Sequence, residues 1–212
     1  LKLEYLALSA PAFLLAITVH EYAHAYTANR FGDHTARDMG RLTLNPLPHL
    51  DLFGLIAMLF MGFGWAKPVM VNPHNLKDPR RDNLWISLAG PASNLGSALI
   101  LGLIFRMLGP LLSSSNIGQL IIVMVLLAVR LNIILAIFNL LPIPPLDGYH
   151  VLEGLVSTET YVRMQAFESA GSMVLLGLVL VSSFARINIF GTIFNPFLAL
   201  FGNLFVGQNL AF

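Results

Sequence analysis

The apolar residues of this chain come in long, nearly unbroken runs. They do not alternate, as in a half-buried strand, or form one stripe, as on a surface helix. A helix needs about 20 apolar residues to cross a bilayer. Four runs reach that length: Leu3–Ala28, Asn83–Met107, Ile117–Leu141 and Ala166–Ala185. The run from Ile189 to Val206 is interrupted by Asn195, Pro196 and Asn203, and no span is assigned to it. After the first run comes "NRFGDHTARDMGRLTLNPLPHLD", whose Gly, Pro, Asn and Asp content predicts loop and short strand. "LFGLIAMLFMGFGWAKPVMVNP" follows, short for a span and broken by Gly62, Gly64 and Pro68. It predicts a re-entrant or strand-like segment, which must be sheltered by protein within a membrane. The pattern therefore predicts an all-α membrane protein: one domain over residues 1–212, a polytopic transmembrane helix bundle with a short membrane-associated β-hairpin or re-entrant segment.

Composition agrees. Of the 212 residues 56% are hydrophobic and 11% charged, with a mean hydropathy of +0.74, whereas ordinary globular domains carry about 25% charged residues. The lipid bilayer is thus an expected partner. A net charge of +1 without a basic run gives no reason to expect a nucleic-acid partner. The absence of cysteine excludes disulfides and thiolate metal ligands, so any metal must use His, Asp or Glu. No cleavable signal peptide is expected. Arg30, Arg37, Arg41, Lys67, Lys77, Arg80 and Arg81 lie between the first two clear spans, and the 109–118 loop has no Lys or Arg. The basic side is expected to be cytoplasmic, in a cell membrane.

Polar chemistry interrupts this pattern at "HEYAH", residues 20–24, directly after an apolar run. Ionisable groups within a spanning helix are costly and usually mark function. His20 and His24 share a helix face, with Cβ atoms about 5–6 Å apart. That spacing suits two imidazoles on one Zn²⁺, with Glu21 as general base. Zinc would acidify water toward a pKa of about 7 and polarise a scissile carbonyl. A third protein ligand is needed, and Asp147 in "LPIPPLDG" is the candidate. The prolines end the helix there, Gly148 permits a tight turn, and two further spans return this segment to the side of HEYAH.

The stretches "HEYAH", "GRLTLNP", "GWAKPV", "AGPASN" and "FNLLPIPPLDG" resemble the site-2 protease family of intramembrane zinc metalloproteases. The resemblance covers about the first 150 residues and is closest to the short prokaryotic branch without a PDZ module. It implies cleavage of a partner's transmembrane segment within the bilayer, and the charge bias separately puts the active site toward the cytoplasmic side. It carries zinc ligation onto His20, His24 and Asp147, and the general-base role onto Glu21. Asn139 would orient the ligand or donate to the substrate carbonyl as an oxyanion stabiliser.

Other polar residues have plainer expectations. Asn94 is either a similar donor or an interhelical hydrogen bonder, and Gly90 allows close helix packing. His34, His49, His74 and His150 read as solvated, and Trp65 and Lys67 as interface anchors. Arg130 snorkels, pairs with a carboxylate or marks a wet path. "GFGWAKPVMV" either receives substrate by strand addition or plugs the bundle. Two other functions remain in view. One is a membrane zincin acting on solvent-exposed polypeptide, with a third ligand from Glu153, Glu159 or Glu168. The other is a zinc transporter or metal-binding membrane protein.

Overall fold

A computed structural model describes residues 3–61, 64–184 and 188–211. The chain is built from helices: α1 (Leu3–Arg30), α2 (Thr35–Asp38), α3 (Leu52–Met61), α4 (Pro79–Leu112), α5 (Asn116–Asn139), α6 (Asp147–Leu155), α7 (Thr158–Phe184) and α8 (Ile189–Phe205). α4 is the hub, packing against α1, α5, α6 and α8. At 1.5 Å per residue, α4 is roughly 51 Å long and α5 roughly 36 Å. Both exceed the hydrocarbon core of about 30 Å.

Among the described residues, α4 and α5 are long and apolar enough to cross a membrane. α7 makes a third if its two parts, Thr158–Ala166 and Glu168–Ser182, set at 62°, count as one span. α1 has the length, at 28 residues, and carries HEYAH in its C-terminal half. The 189–206 run folds as the 17-residue α8. These helices turn large apolar side chains outward: Ile100, Leu103 and Met107 on α4, Ile117 on α5, Met173 and Leu176 on α7, Leu200 and Leu204 on α8. Such a surface suits lipid and not water. The chain is a polytopic helical membrane protein.

The expected β-hairpin is not observed among the described residues. The stretch 52–61 is helical instead, as its Leu, Met and Ala content favours. Residues 64–71 are extended but contribute one antiparallel bridge, Ala66 with Leu50.

The main apolar core joins α4, α5 and α8 through Ala98, Val129, Ile133, Ile137, Phe194 and Leu198. The other end of the molecule is organised by polar groups. Buried Asp33, just past α1, accepts from Thr35 N and Oγ1, Asn72 N and Asn75 Nδ2 at 2.6–3.1 Å. One carboxylate thereby ties the loop after α1 to the loop before α4.

Candidate metal centre

α1 carries His20 and His24 one turn apart, with ring planes at 84° and centroids 4.6 Å apart. Their Nε2 atoms lie 3.0 Å apart. Asp147, the first residue of α6, closes a triangle: its Oδ2 is 3.1 Å from His20 Nε2 and 3.3 Å from His24 Nε2. The second nitrogen of each ring is committed elsewhere. His24 Nδ1 donates to the Ile86 carbonyl at 2.7 Å, and His20 Nδ1 to Asn94 Oδ1 at 2.6 Å. With the protons on Nδ1, each Nε2 presents a lone pair inward. Asp147 Oδ2 is buried and carries no hydrogen bond. Three electron-rich atoms facing one another repel unless a cation lies among them. Tetrahedral zinc with bonds of 2.0–2.1 Å has ligand–ligand edges of about 3.3 Å. The observed triangle is close to one such face, so these side chains fit a zinc ion.

The surrounding residues determine this geometry. Asn94 and Asn132 are fully buried. Asn94 Nδ2 donates to the Ala16 carbonyl at 3.0 Å and to Asn132 Oδ1 at 2.9 Å, and Asn132 Nδ2 donates to the Ala128 carbonyl at 2.8 Å. These oxygen acceptors fix the Asn94 amide orientation, so its oxygen must face His20. Asn94 is therefore the outer partner of a metal-facing imidazole, a position known to set ring orientation and basicity. Asn132 joins α5 to the same chain of bonds.

Gly90 does more than let helices approach. A Cβ there would meet His24 Nε2 and Cε1, the latter at 2.6 Å, and His20 Cε1 at 2.7 Å. α4 leaves out a side chain where the two rings need room. α6 is held from several sides. A Cβ at Gly148 would lie 2.6 Å from the Leu141 carbonyl, and Tyr149 Oη donates to the Met164 carbonyl at 2.8 Å. Arg80 donates to the Glu153 and Val156 carbonyls, completing the C-terminal turn of α6. At the other end, the α6 N-terminus favours the Asp147 carboxylate.

Glu21 is buried beside the cluster, and its Oε2 accepts from Val69 N at 2.8 Å. Asn139 donates to the Leu135 carbonyl of its own helix at 2.9 Å. Of the other acids weighed as a third ligand, Glu153 pairs with His150 at 2.9 Å and Glu159 with Arg163 at 2.5 Å. Glu168 is exposed and lines a cavity with His150, Gln165 and Pro144. None of the three joins the His20–His24–Asp147 group.

His49 departs from expectation. It is fully buried, donates through Nε2 to the Thr43 carbonyl at 2.9 Å, and turns Nδ1 toward Arg41 Nη2 at 3.4 Å. Arg41 is buried too and donates to the Lys67 carbonyl at 2.6 Å. Burial lowers the Arg41 pKa, and the nearby Glu21 charge opposes that shift. Burial would raise Asp33, but its four donors outweigh this and leave it below the usual carboxylate value.

The fold and site define a membrane metalloprotein with two imidazoles, a carboxylate and an adjacent glutamate, the donor pattern of a zinc hydrolase. The chain belongs to peptidase family M50, the site-2 protease family of zinc-dependent metalloproteases. The profile of peptidase family M50 matches residues 111–182, a segment that includes Asp147. "Putative zinc metalloprotease YwhC" of Bacillus subtilis is 44% identical over 169 residues, covering 77% of this chain and 75% of the relative. "Putative zinc metalloprotease Rip2" of Mycolicibacterium smegmatis is 33% identical over 181 residues, covering 82% and 67%. "Putative zinc metalloprotease MJ0611" of Methanocaldococcus jannaschii is 29% identical over 134 residues, covering 63% of each chain. No solved structure matches the chain.

Proposed function

We propose that this protein is an intramembrane zinc endopeptidase that cleaves transmembrane segments of membrane-protein substrates, acting as one domain over residues 1–212. The observation that carries the reading is the triangle of His20 Nε2, His24 Nε2 and Asp147 Oδ2, with edges of 3.0–3.3 Å. His20, His24 and Asp147 hold the ion. Bound zinc supplies an acidified water and polarises the scissile carbonyl.

The chain's own groups do the rest. Glu21 takes a proton on its carboxylate and returns it to the leaving amine, as a general base that then serves as acid. Asn94 and the Ile86 carbonyl keep both imidazoles in the tautomer that points Nε2 inward. Asn139 spends one amide N–H on Leu135 and offers the other to the substrate carbonyl. A transmembrane helix must unwind before its peptide bonds can be attacked, and the extended 64–71 segment provides a backbone edge for the unwound chain. In this reading the site faces the cytoplasmic side of a cell membrane, which the Lys and Arg residues between positions 30 and 81 support.

The test is cleavage of a transmembrane reporter in proteoliposomes, with zinc measured on the same preparations. Glu21→Gln should keep its zinc and lose about 10²–10⁴-fold in rate. Wild-type turnover in that variant would remove Glu21 from the chemistry.

A further inference from the structure

The residues around the 64–71 segment point to a function for a main-chain group. Lys67 N donates to the His49 carbonyl at 2.9 Å, and the Lys67 carbonyl accepts from Arg41 at 2.6 Å. Two residues on, Val69 N donates to Glu21 Oε2 at 2.8 Å. In an extended chain, alternate residues direct their polar groups to the same edge. Lys67 and Val69 therefore use one edge, turned toward α1 and the buried Arg41–His49 pair. Pro68 falls on the opposite edge, where its missing N–H takes nothing from these bonds.

We infer that the Val69 backbone amide, held in place by Arg41 and His49 through Lys67, is a positioning group that orients the Glu21 carboxylate. The inference rests on the reading of Glu21 as general base. A carboxylate at the end of a Glu side chain rotates about three bonds, and a proton acceptor must be aimed to be effective. The Val69 bond takes Oε2 and leaves Oε1 to receive the proton. Arg41 and His49 belong to the clamp because they fix the backbone two residues away. Their burial follows: a surface pair would be loosened by water, whereas Arg41 and His49 are 4% and 0% exposed. Arg41 and His49 thus act on catalysis from outside the His20–His24–Asp147 group.

Two measurements test this. The first compares Val69→Pro, which deletes the N–H but suits an extended backbone, with Val69→Ala, which keeps it. Val69→Pro should lose about 10- to 100-fold in kcat, the scale of a misplaced catalytic group. Its zinc content should stay near wild type and its loss should fall on kcat more than on KM, and Val69→Ala, which keeps the N–H, should retain at least about tenfold more kcat than Val69→Pro. Arg41→Met should act like Val69→Pro, in the same direction and again on kcat. The second follows amide hydrogen exchange on metal-free protein. Exchange in the 66–71 segment should quicken at least about tenfold in Glu21→Ala, because the bond that protects it has lost its acceptor.

Several outcomes overturn the inference: normal kcat in Val69→Pro, an equal loss in Val69→Ala, or a change confined to KM. If Val69→Pro does not fold, exchange decides, and unchanged protection in Glu21→Ala overturns the inference. Glu21→Gln separates the two readings. If it is active, Glu21 is not the base. If it is inactive while Val69→Pro is normal, only the positioning role fails.

Discussion

Gly90→Ala is a one-methyl change aimed at the metal centre. The added Cβ would lie 2.6 Å from His24 Cε1 and 2.7 Å from His20 Cε1. Carbon atoms pack at about 3.5–4.0 Å, so each ring must retreat by roughly 0.9 Å or α4 must move away from α1. Metal–ligand distances tolerate only about 0.2 Å. Loss of an outer partner alone costs about 10–100-fold in metal affinity, and displacing the ligand rings should cost at least the upper end, about 100-fold. The fold should survive. Overpacking costs about 1–3 kcal/mol, partly offset by the roughly 1 kcal/mol that alanine gains over glycine in a helix. The assay is zinc retention in a graded chelator series, with thermal unfolding monitored in parallel. Wild-type zinc affinity in a folded Gly90→Ala protein would refute the reasoning, because the rings would then have room that the structure does not give them.

Asn94→Ala should weaken zinc about 10–100-fold by releasing His20 Nδ1, measured in the same chelator series; unchanged affinity would show that Asn94 only joins helices. Asp33 is held below the usual carboxylate value, so it stabilises the fold above the unfolded-state pKa of about 3.9. That contribution is lost as pH falls through Asp33's own lower pKa. The stability gap between wild type and Asp33→Asn should therefore be full at pH 7 and shrink below about pH 4, and a gap that does not shrink with acid would assign it to packing. In membrane vesicles of known orientation, a cysteine at Thr35 should react with impermeant reagent from the cytoplasmic side and one at Ser114 from the other. The reverse pattern would invert the proposed topology.

The helical scaffold was legible because length and apolarity survive any detail of packing, and α4 and α5 follow their runs closely. HEYAH was legible because residues four apart in a helix meet whatever the tertiary fold. The stretches 52–61 and 64–71 were not, since Gly62, Gly64 and Pro68 gave no way to tell a short helix followed by an irregular segment from a hairpin. His49 read as solvated because its loop is polar. Its burial depends on Arg41 and on the Lys67 backbone, which only folding brings near. Asn94 and Asn132 could be seen as polar groups on apolar helices, but their order in one hydrogen-bond chain depends on how α1, α4 and α5 pack. Gly90 looked like a packing glycine because its neighbours are small, and the rings it makes room for are 66 and 70 positions away.

Zinc K-edge absorption on purified wild type and Asp147→Ala tests the central claim most directly. The wild type should hold one zinc with two imidazole nitrogens and oxygen ligands at about 2.0–2.2 Å, and Asp147→Ala should lose the metal or show one oxygen fewer. A variant that keeps its zinc with an unchanged spectrum would contradict the site built from His20, His24 and Asp147.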